Sequence, residues 1–393
     1  MSDNQSAGTA GSSSSRVRAY FDRLDWERIG LAIAAPVLAI LFAALVTTIV
    51  LLISGQSPTL ALSDIFSYDI HPDSTVAILN RATTYFLAGL AVALGFRMNI
   101  FNIGVEGQYK IGVFFAAYVA GIVGAPGPIK IILAIVAGVV AGALYAGIVA
   151  VLKVTRGVNE VIASIMLNYI AINLIAYLLQ PNTLGFQAPG SNNVSTKPLP
   201  ASAMFFTIST YGGNIWGFVI IAALLGVGFH LLLARTRFGF DLRTAGQSDG
   251  AAQASGVNTK KMILIALLLS GGLAGLTGVP ELLQDAGSYN LTFPSGVGFT
   301  GIAIALLGRN NPIGIALGAL MWGAFDRASN QLGFDGFQPE IVLIIEGTIV
   351  ISVVVAYEVV RRYGLKRQQS RVGRELAAAA AQAAGSTNKE AAA

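Results

Sequence analysis

Long apolar runs recur along this chain, and nothing else in it constrains the fold as tightly. They lie near residues 31–53, 80–96, 106–124, 129–152, 158–180, 214–234, 261–284, 297–308, 313–330 and 340–360. A helix crossing the hydrocarbon core of a bilayer needs about 20 apolar residues. Of the 393 residues, 54% are hydrophobic and 11% are charged, where a soluble domain carries about a quarter charged. Too few charges remain to cover a water-facing surface, so lipid is the solvent. The expected fold is an all-α polytopic membrane protein with about ten transmembrane helices. The segments 80–96 and 297–308 are short and Gly-rich or flanked by polar residues, the pattern of broken or half-spanning helices that line a cavity or pack on protein.

Lys and Arg give the orientation. With the N-terminus inside, the internal segments collect Arg16, Arg18, Arg23, Arg28, Arg97, Lys110, Lys153, Arg156, Arg235, Arg237, Arg243, Lys260, Lys261 and Arg309, together with the basic residues from Arg361 to Lys389. The external loops hold Lys130 and Lys197, with Arg81 and Arg327 near the outer ends of spans. Both termini are therefore expected in the cytoplasm. Residues 1–29 read as a cytoplasmic extension, 30–362 as the transmembrane domain and 363–393 as an Ala-rich cytoplasmic tail. The run from Gly30 to Ile53 is too long for the apolar region of a signal peptide. This orientation sets 80–180 and 261–360, four spans each, in opposite senses, as an inverted repeat would; four spans in each half by coincidence give the same pattern.

Several chemistries are excluded. The chain has no cysteine and two histidines, His71 and His230, which removes disulfides, thiol nucleophiles and multi-His metal sites. No G-x-x-x-x-G-K-[ST] sequence occurs, so no Walker A loop binds nucleotide here. No Arg ladder or TVGYG filter marks a channel.

Three polar stretches interrupt the apolar sequence. Residues 96–108, FRMNIFNIGVEGQ, place Arg97, Asn99, Asn102, Glu106 and Gln108 near membrane depth, where polar side chains face a cavity or a partner. The plainer reading is a turn between two spans, with Glu106 paired to Lys110 at i,i+4. In residues 156–169, RGVNEVIASIMLNY, Asn159 and Glu160 open a helix, and a carboxylate there meets the positive end of its dipole. Asn168, two turns on, suits an interhelical hydrogen bond. The third stretch, 235–261, is an internal basic loop in which Leu242 to Ala254 reads as a short helix with Gly239 before it and Gly256 after it. Such a helix docks into a groove on a partner; an ordinary positive-inside loop has the same charges. Glu281, Asp326, Arg327 and Glu346 are the remaining charges near spans, read as structural ion pairs.

Together these residues carry a family resemblance. Gly89 to Gln108, GLAVALGFRMNIFNIGVEGQ, resembles the FNIG-x-EGQ signature of ABC importer permeases for nucleosides and simple sugars. Gly157 to Ala171, GVNEVIASIMLNYIA, looks like a second segment of the nucleoside-type members. FGFDLRTAGQSDGAAQASGV is similar to their cytoplasmic coupling loop, with Arg243, Gly246, Ala251, Ala252 and Gly256 matching and Val257 standing where the pattern has Ile. Gly298 to Ile315, GFTGIAIALLGRNNPIGI, resembles a late signature. The likeness covers roughly residues 80 to 350. It implies a permease subunit of the longer type that hydrolyses nothing and holds no cofactor or metal. Its partners would be a second, different permease chain, ABC ATPase subunits that bind ATP and Mg, and an extracytoplasmic binding protein or lipoprotein, in a bacterial inner membrane; no nucleic acid is involved. Loop 235–261 becomes the element seated in the ATPase, with Arg237, Gly239, Arg243, Gly246, Ala251, Ala252 and Gly256 as its candidate residues. For a nucleoside, amide groups and an aromatic face are expected along the pathway, with outer loops 54–79 and 181–213 receiving the substrate. The candidates are Asn102, Glu106, Asn168 and Phe299. Two alternatives stay open: a ribose- or galactose-type sugar permease, and a stand-alone ion-coupled transporter using Glu106, Glu281 and Glu346. A membrane enzyme is disfavoured, since no nucleophile–base pair is evident.

Overall fold

The computed structural model describes residues 71–334 without interruption, residues 41–59 apart from 43, and scattered positions between 344 and 370. Two compact units divide the chain. One comprises residues 1–56 and 343–393, and its described part includes a short apolar helix, Ala44–Ile53. The expected extension 1–29, Glu346, and most of the span 340–360 and of the tail 363–393 lie outside the described residues. The other unit, residues 57–342, carries everything that follows.

Its helices are α1 (Pro72–Arg97), α2 (Val105–Ile122), α3 (Gly127–Arg156), α4 (Glu160–Leu178), α5 (Phe218–Arg235), α6 (Arg237–Gln247), α7 (Asp249–Ala254), α8 (Thr259–Leu276), α9 (Val279–Glu281), α10 (Val297–Leu307) and α11 (Pro312–Phe334). Five candidate membrane-crossing helices occur among the described residues: α1, α3, α4, α5 and the continuous stretch Thr259–Ala286 formed by α8, α9 and a π-helical turn, Leu282–Ala286. Five of the ten spans read from hydropathy, 80–96, 129–152, 158–180, 214–234 and 261–284, are matched by these helices among the described residues. Helix α2 opens on Glu106, Gln108 and Lys110, and α10 has 11 residues.

Helix α1 is the axis. Leu87, Ala88, Leu90, Ala91, Val92 and Ala93 have no exposed surface, and α8, α10 and α11 all pack on it. The segment 80–96 was expected to be broken; instead it lies inside an unbroken 26-residue helix. Asn80 and Arg81 are held by partners on other elements and Thr83 bonds back to Leu79 O, while the buried Thr84 hydroxyl has no hydrogen-bond partner; none of them interrupts the backbone ladder. The most extensive packing joins α3 to α8. Both carry glycines four apart, Gly138 and Gly142 on α3 and Gly271 and Gly275 on α8. A Cβ on Gly275 would sit 2.0 Å from Gly138 O, and one on Gly142 would sit 2.3 Å from Gly271 O. Backbone meets backbone here, the small-residue packing that holds membrane helices together where hydrophobicity supplies no drive.

The expectation of a purely helical chain needs one correction. The loop between α4 and α5 folds into two antiparallel hairpins, β1 (Phe186–Gln187) with β2 (Val194–Ser195), and β3 (Thr207–Thr210) with β4 (Gly213–Trp216). Thr196, Leu199 and Phe205 donate their N–H groups to Tyr289, Gly287 and Leu283 carbonyls, which ties this loop to the π turn and the residues after it.

Candidate functional site

The first candidate is the coupling element. Loop 235–261 was expected to hold one helix from Leu242 to Ala254 preceded by Gly239. It holds two, α6 and α7, divided at Ser248, and Gly239 lies inside the first. The reason is local. Ser248 is extended and accepts from Ala251 N–H at 3.3 Å, starting a fresh helix, as an N-cap serine does. Thr236 does the same for α6, accepting from Gly239 N–H at 3.2 Å. Gly256, at φ +79°, ends α7 in the left-handed conformation that glycine tolerates.

Helix α6 is bolted to the bundle. A Cβ on Gly239 would lie 2.4 Å from Leu233 O, and one on Gly246 would lie 2.8 Å from Arg97 O and Met98 Cα. The Arg243 guanidinium donates to Leu233 O at the end of α5. Leu242 and Ala252 are wholly buried. The opposite side presents Phe240, 59% exposed, and Arg237, whose side chain is 94% exposed; Ala251 is exposed as well. The loop is therefore a rigid two-helix ledge seated on the ends of α5 and α1. The Arg97 guanidinium reaches on to Asn310 O at 2.7 Å, where Arg309 and Asn310 adopt φ 55° between α10 and α11.

The second candidate is the break between α1 and α2. The chain turns at Asn99, φ 57°, and folds back: Asn102 donates to Ser270 Oγ at 2.9 Å, and that hydroxyl donates to Ala91 O at 2.6 Å. Ala91 is six residues inside Arg97, about 9 Å along the axis. Asn102 also exchanges hydrogen bonds with the Gln108 side chain at 2.9 and 3.0 Å. Asn168 accepts from Gly107 N–H at 2.8 Å and donates to Ile103 O at 3.0 Å, the interhelical bond its position suggested. Both Glu106 carboxylate oxygens accept backbone amides at the start of α10, from Gly296 at 2.9 Å and Gly298 at 2.8 Å, and Lys110 Nζ lies 3.8 Å away. Glu106 thus caps a helix 190 residues along the chain, meeting its positive end. The structure brings Asn102, Glu106 and Asn168 together, all buried. Phe299 stands apart, 49% exposed on α10.

The third lies at the other end of α1. A cavity of about 340 Å³ is lined by residues from α1, β4, α9, the π turn and α11, among them Asn80, Arg81, Trp216, Glu281, Asp285 and Asp326. Arg81 joins three elements, with Nη1 2.9 Å from Glu281 Oε2 and Nε 2.5 Å from Asp326 Oδ2. Glu281, Asp326 and Arg327 were expected to form ion pairs at this depth, but the cation that Glu281 and Asp326 share is Arg81; Arg327 turns instead to Asp73 at 3.3 Å. Sequence reasoning did not single out Asn80 or Trp216. The available signal was Asn80-Arg81 and Asp326-Arg327, two polar pairs at the ends of apolar runs.

The comparisons agree with this architecture. Residues 74–354 match the family model described as branched-chain amino acid transport system / permease component. The chain is 32% identical to the guanosine ABC transporter permease protein NupP of Bacillus subtilis, over 82% of this chain and 93% of that protein. It is 31% identical to the glucose ABC transporter permease protein TsgB13 of Haloferax volcanii, over 85% and 90%. It is 28% identical to the nucleoside ABC transporter permease protein NupB of Lactococcus lactis, over 83% and 91%. With a family model matched over more than half its length and apolar helices to cross a bilayer several times, this multi-pass membrane protein belongs to the permease components of the branched-chain amino acid transport system family.

Proposed function

We propose that this chain is one permease subunit of an ATP-driven importer of nucleosides. Partner subunits hydrolyse ATP, a second permease chain completes the pathway, and a binding protein delivers substrate. In this reading the chain spans the membrane about ten times with both ends in the cytoplasm, and α6–α7 face the ATPase. The observation that carries it is the ledge itself. A two-helix element with one face locked to α1 and α5 and the other presenting Phe240 and Arg237 transmits a push without absorbing it. Nucleotide-driven closure of the ATPases would shift the permease between two states through their differential contacts. The resemblance to the guanosine and nucleoside permeases supports the substrate class.

The test uses the complete complex in lipid nanodiscs. Arg243→Glu with Gly246→Pro is expected to abolish substrate-stimulated ATPase activity. Phe240→Asp, which touches only the exposed face, is expected to reduce it at least tenfold while this chain stays folded. Full stimulation in Phe240→Asp overturns the coupling assignment. A glucose permease among the relatives favours a second reading, a sugar importer. Radiolabelled guanosine uptake competed by nucleosides supports the first reading, and competition only by free sugars supports the second. For the ion-coupled alternative, Glu106 is occupied by the Gly296 and Gly298 amides and Glu281 is charge-paired with Arg81; uptake by this chain without any ATPase partner would favour it.

A further inference from the structure

The geometry points to the cavity beside Arg81 as a ligand site for a neutral molecule that combines vicinal hydroxyls with a flat face, a nucleoside or a sugar ring. This rests on the importer reading and gives its substrate a place.

The size fits. At about 340 Å³ the cavity falls in the range of roughly 300–1,000 Å³ typical of small-molecule pockets. The flat surface is held in place. Trp216 ends β4, and Asn80 of α1 grips one edge of that strand with both ends of its amide, accepting from Trp216 N–H at 2.8 Å and donating to Asn214 O at 2.9 Å. The hairpin is therefore pinned and the half-buried indole enters the cavity wall on a fixed backbone. An aromatic ring so placed stacks on a nucleobase, or on the apolar face of a sugar.

The polar lining suits hydroxyls and opposes phosphate. Three carboxylates, Glu281, Asp285 and Asp326, face two guanidiniums, Arg81 and Arg327. Arg81 is committed to Glu281 and Asp326, and Arg327 to Asp73. A carboxylate offers about four acceptor positions, and Arg81 takes one oxygen of Glu281. The remaining acceptor positions of Glu281 and Asp285 suit the hydroxyls of a diol, and the excess of carboxylates over guanidiniums opposes an anion. Asp285 lies in the π turn that interrupts the helix here, a distortion that recurs at functional sites. The contrast with the other buried polar groups strengthens the assignment. Asn102, Glu106 and Asn168 have their hydrogen bonds satisfied by protein, whereas this lining surrounds open space.

The experiment is equilibrium binding of tritiated guanosine and of tritiated D-glucose to the complete complex in nanodiscs, with guanosine monophosphate as competitor. Trp216→Ala is expected to weaken guanosine binding roughly tenfold, and Trp216→Tyr to restore most of it, which a merely structural role for the indole would not predict. Asp285→Lys, at an exposed position, is expected to let guanosine monophosphate compete where the unaltered complex refuses it. If glucose binds in place of guanosine and Trp216→Ala weakens that, the site stands and its ligand is a sugar. Unchanged binding of both ligands in Trp216→Ala, together with no competition by the monophosphate in Asp285→Lys, overturns the site and leaves the importer reading intact. An unaltered complex that binds and transports neither ligand overturns both.

Discussion

Two polar clusters sit at opposite ends of α1, with Arg81 and Arg97 16 residues apart, about 24 Å. Around Asn102, Glu106 and Asn168 each amide and carboxylate meets a named donor or acceptor, and the three side chains are at most 4% exposed. Around Arg81 the partners are charged, the Arg81 and Asp326 side chains keep 28% and 27% of their surface, and a cavity opens beside them. The first cluster uses polarity to hold an irregular backbone at membrane depth, which lipid would otherwise forbid. The second holds three elements together by charge while leaving room between them. Polar residues buried in a permease are thus of two kinds, and satisfied hydrogen bonding separates them better than residue type does.

The largest test of that contrast is at Glu106. Glu106→Ala leaves the buried Gly298 N–H and the part-buried Gly296 N–H at the start of α10 without their acceptor. Hydrogen bonds to a charged group contribute about 1.5–3 kcal/mol each, so unfolding in mild detergent should show a loss of roughly 3–6 kcal/mol. Glu106→Gln keeps one side-chain acceptor and should recover about half of that. A wild-type unfolding curve for Glu106→Ala would break the contrast, since the cluster would then not be holding the backbone.

What was legible in the sequence follows the same division. Local signals were readable: Asn159 caps α4 by accepting from Val161 and Ile162, Gly256 ends α7, and the FNIGVEGQ turn interrupts two helices. Even the split at Ser248 has a local sign, a serine ahead of Asp249, which periodicity alone overran. Long-range pairings were not readable. Glu106 finds its amides near Gly296, and Arg81 finds its acids at positions 281 and 326. No spacing rule links residues 190 to 245 apart; only the packing of α2 against α10, and of α1 against α9 and α11, does. The substrate candidates were chosen for residue type, and three of the four, Asn102, Glu106 and Asn168, lie in the satisfied cluster; Trp216, on the wall of the cavity beside Arg81, sits in a hairpin too short for alternation to show.

A smaller effect is expected at Arg81. Arg81→Met removes the cation shared by Glu281 and Asp326, and the groups left behind are partly hydrated, so a loss of about 1–2 kcal/mol is expected, between exposed and buried pairs. Its signature is salt. Raising ionic strength screens exposed charges and buried ones far less, so salt should narrow the gap between Arg81→Met and the unaltered chain and leave the Glu106→Ala gap unchanged. Two gaps that respond alike would merge the clusters into one class.

The smallest effect separates depth from charge. Lys153 at the end of α3 meets Glu160 at the start of α4, Nζ to Oε2 2.7 Å, with side chains 26% and 13% exposed. This pair resembles the Arg81 pairs in chemistry and exposure but does not line that cavity, and it joins consecutive helices whose turn Asn159 already fixes. Lys153→Ala leaves Glu160 at the positive end of α4, so it should cost about 0.5–1 kcal/mol, within the range of surface pairs, and leave guanosine binding untouched. If it instead matched Arg81→Met, bridging between distant helices would add nothing to an ion pair, and the cavity alone would distinguish the Arg81 end.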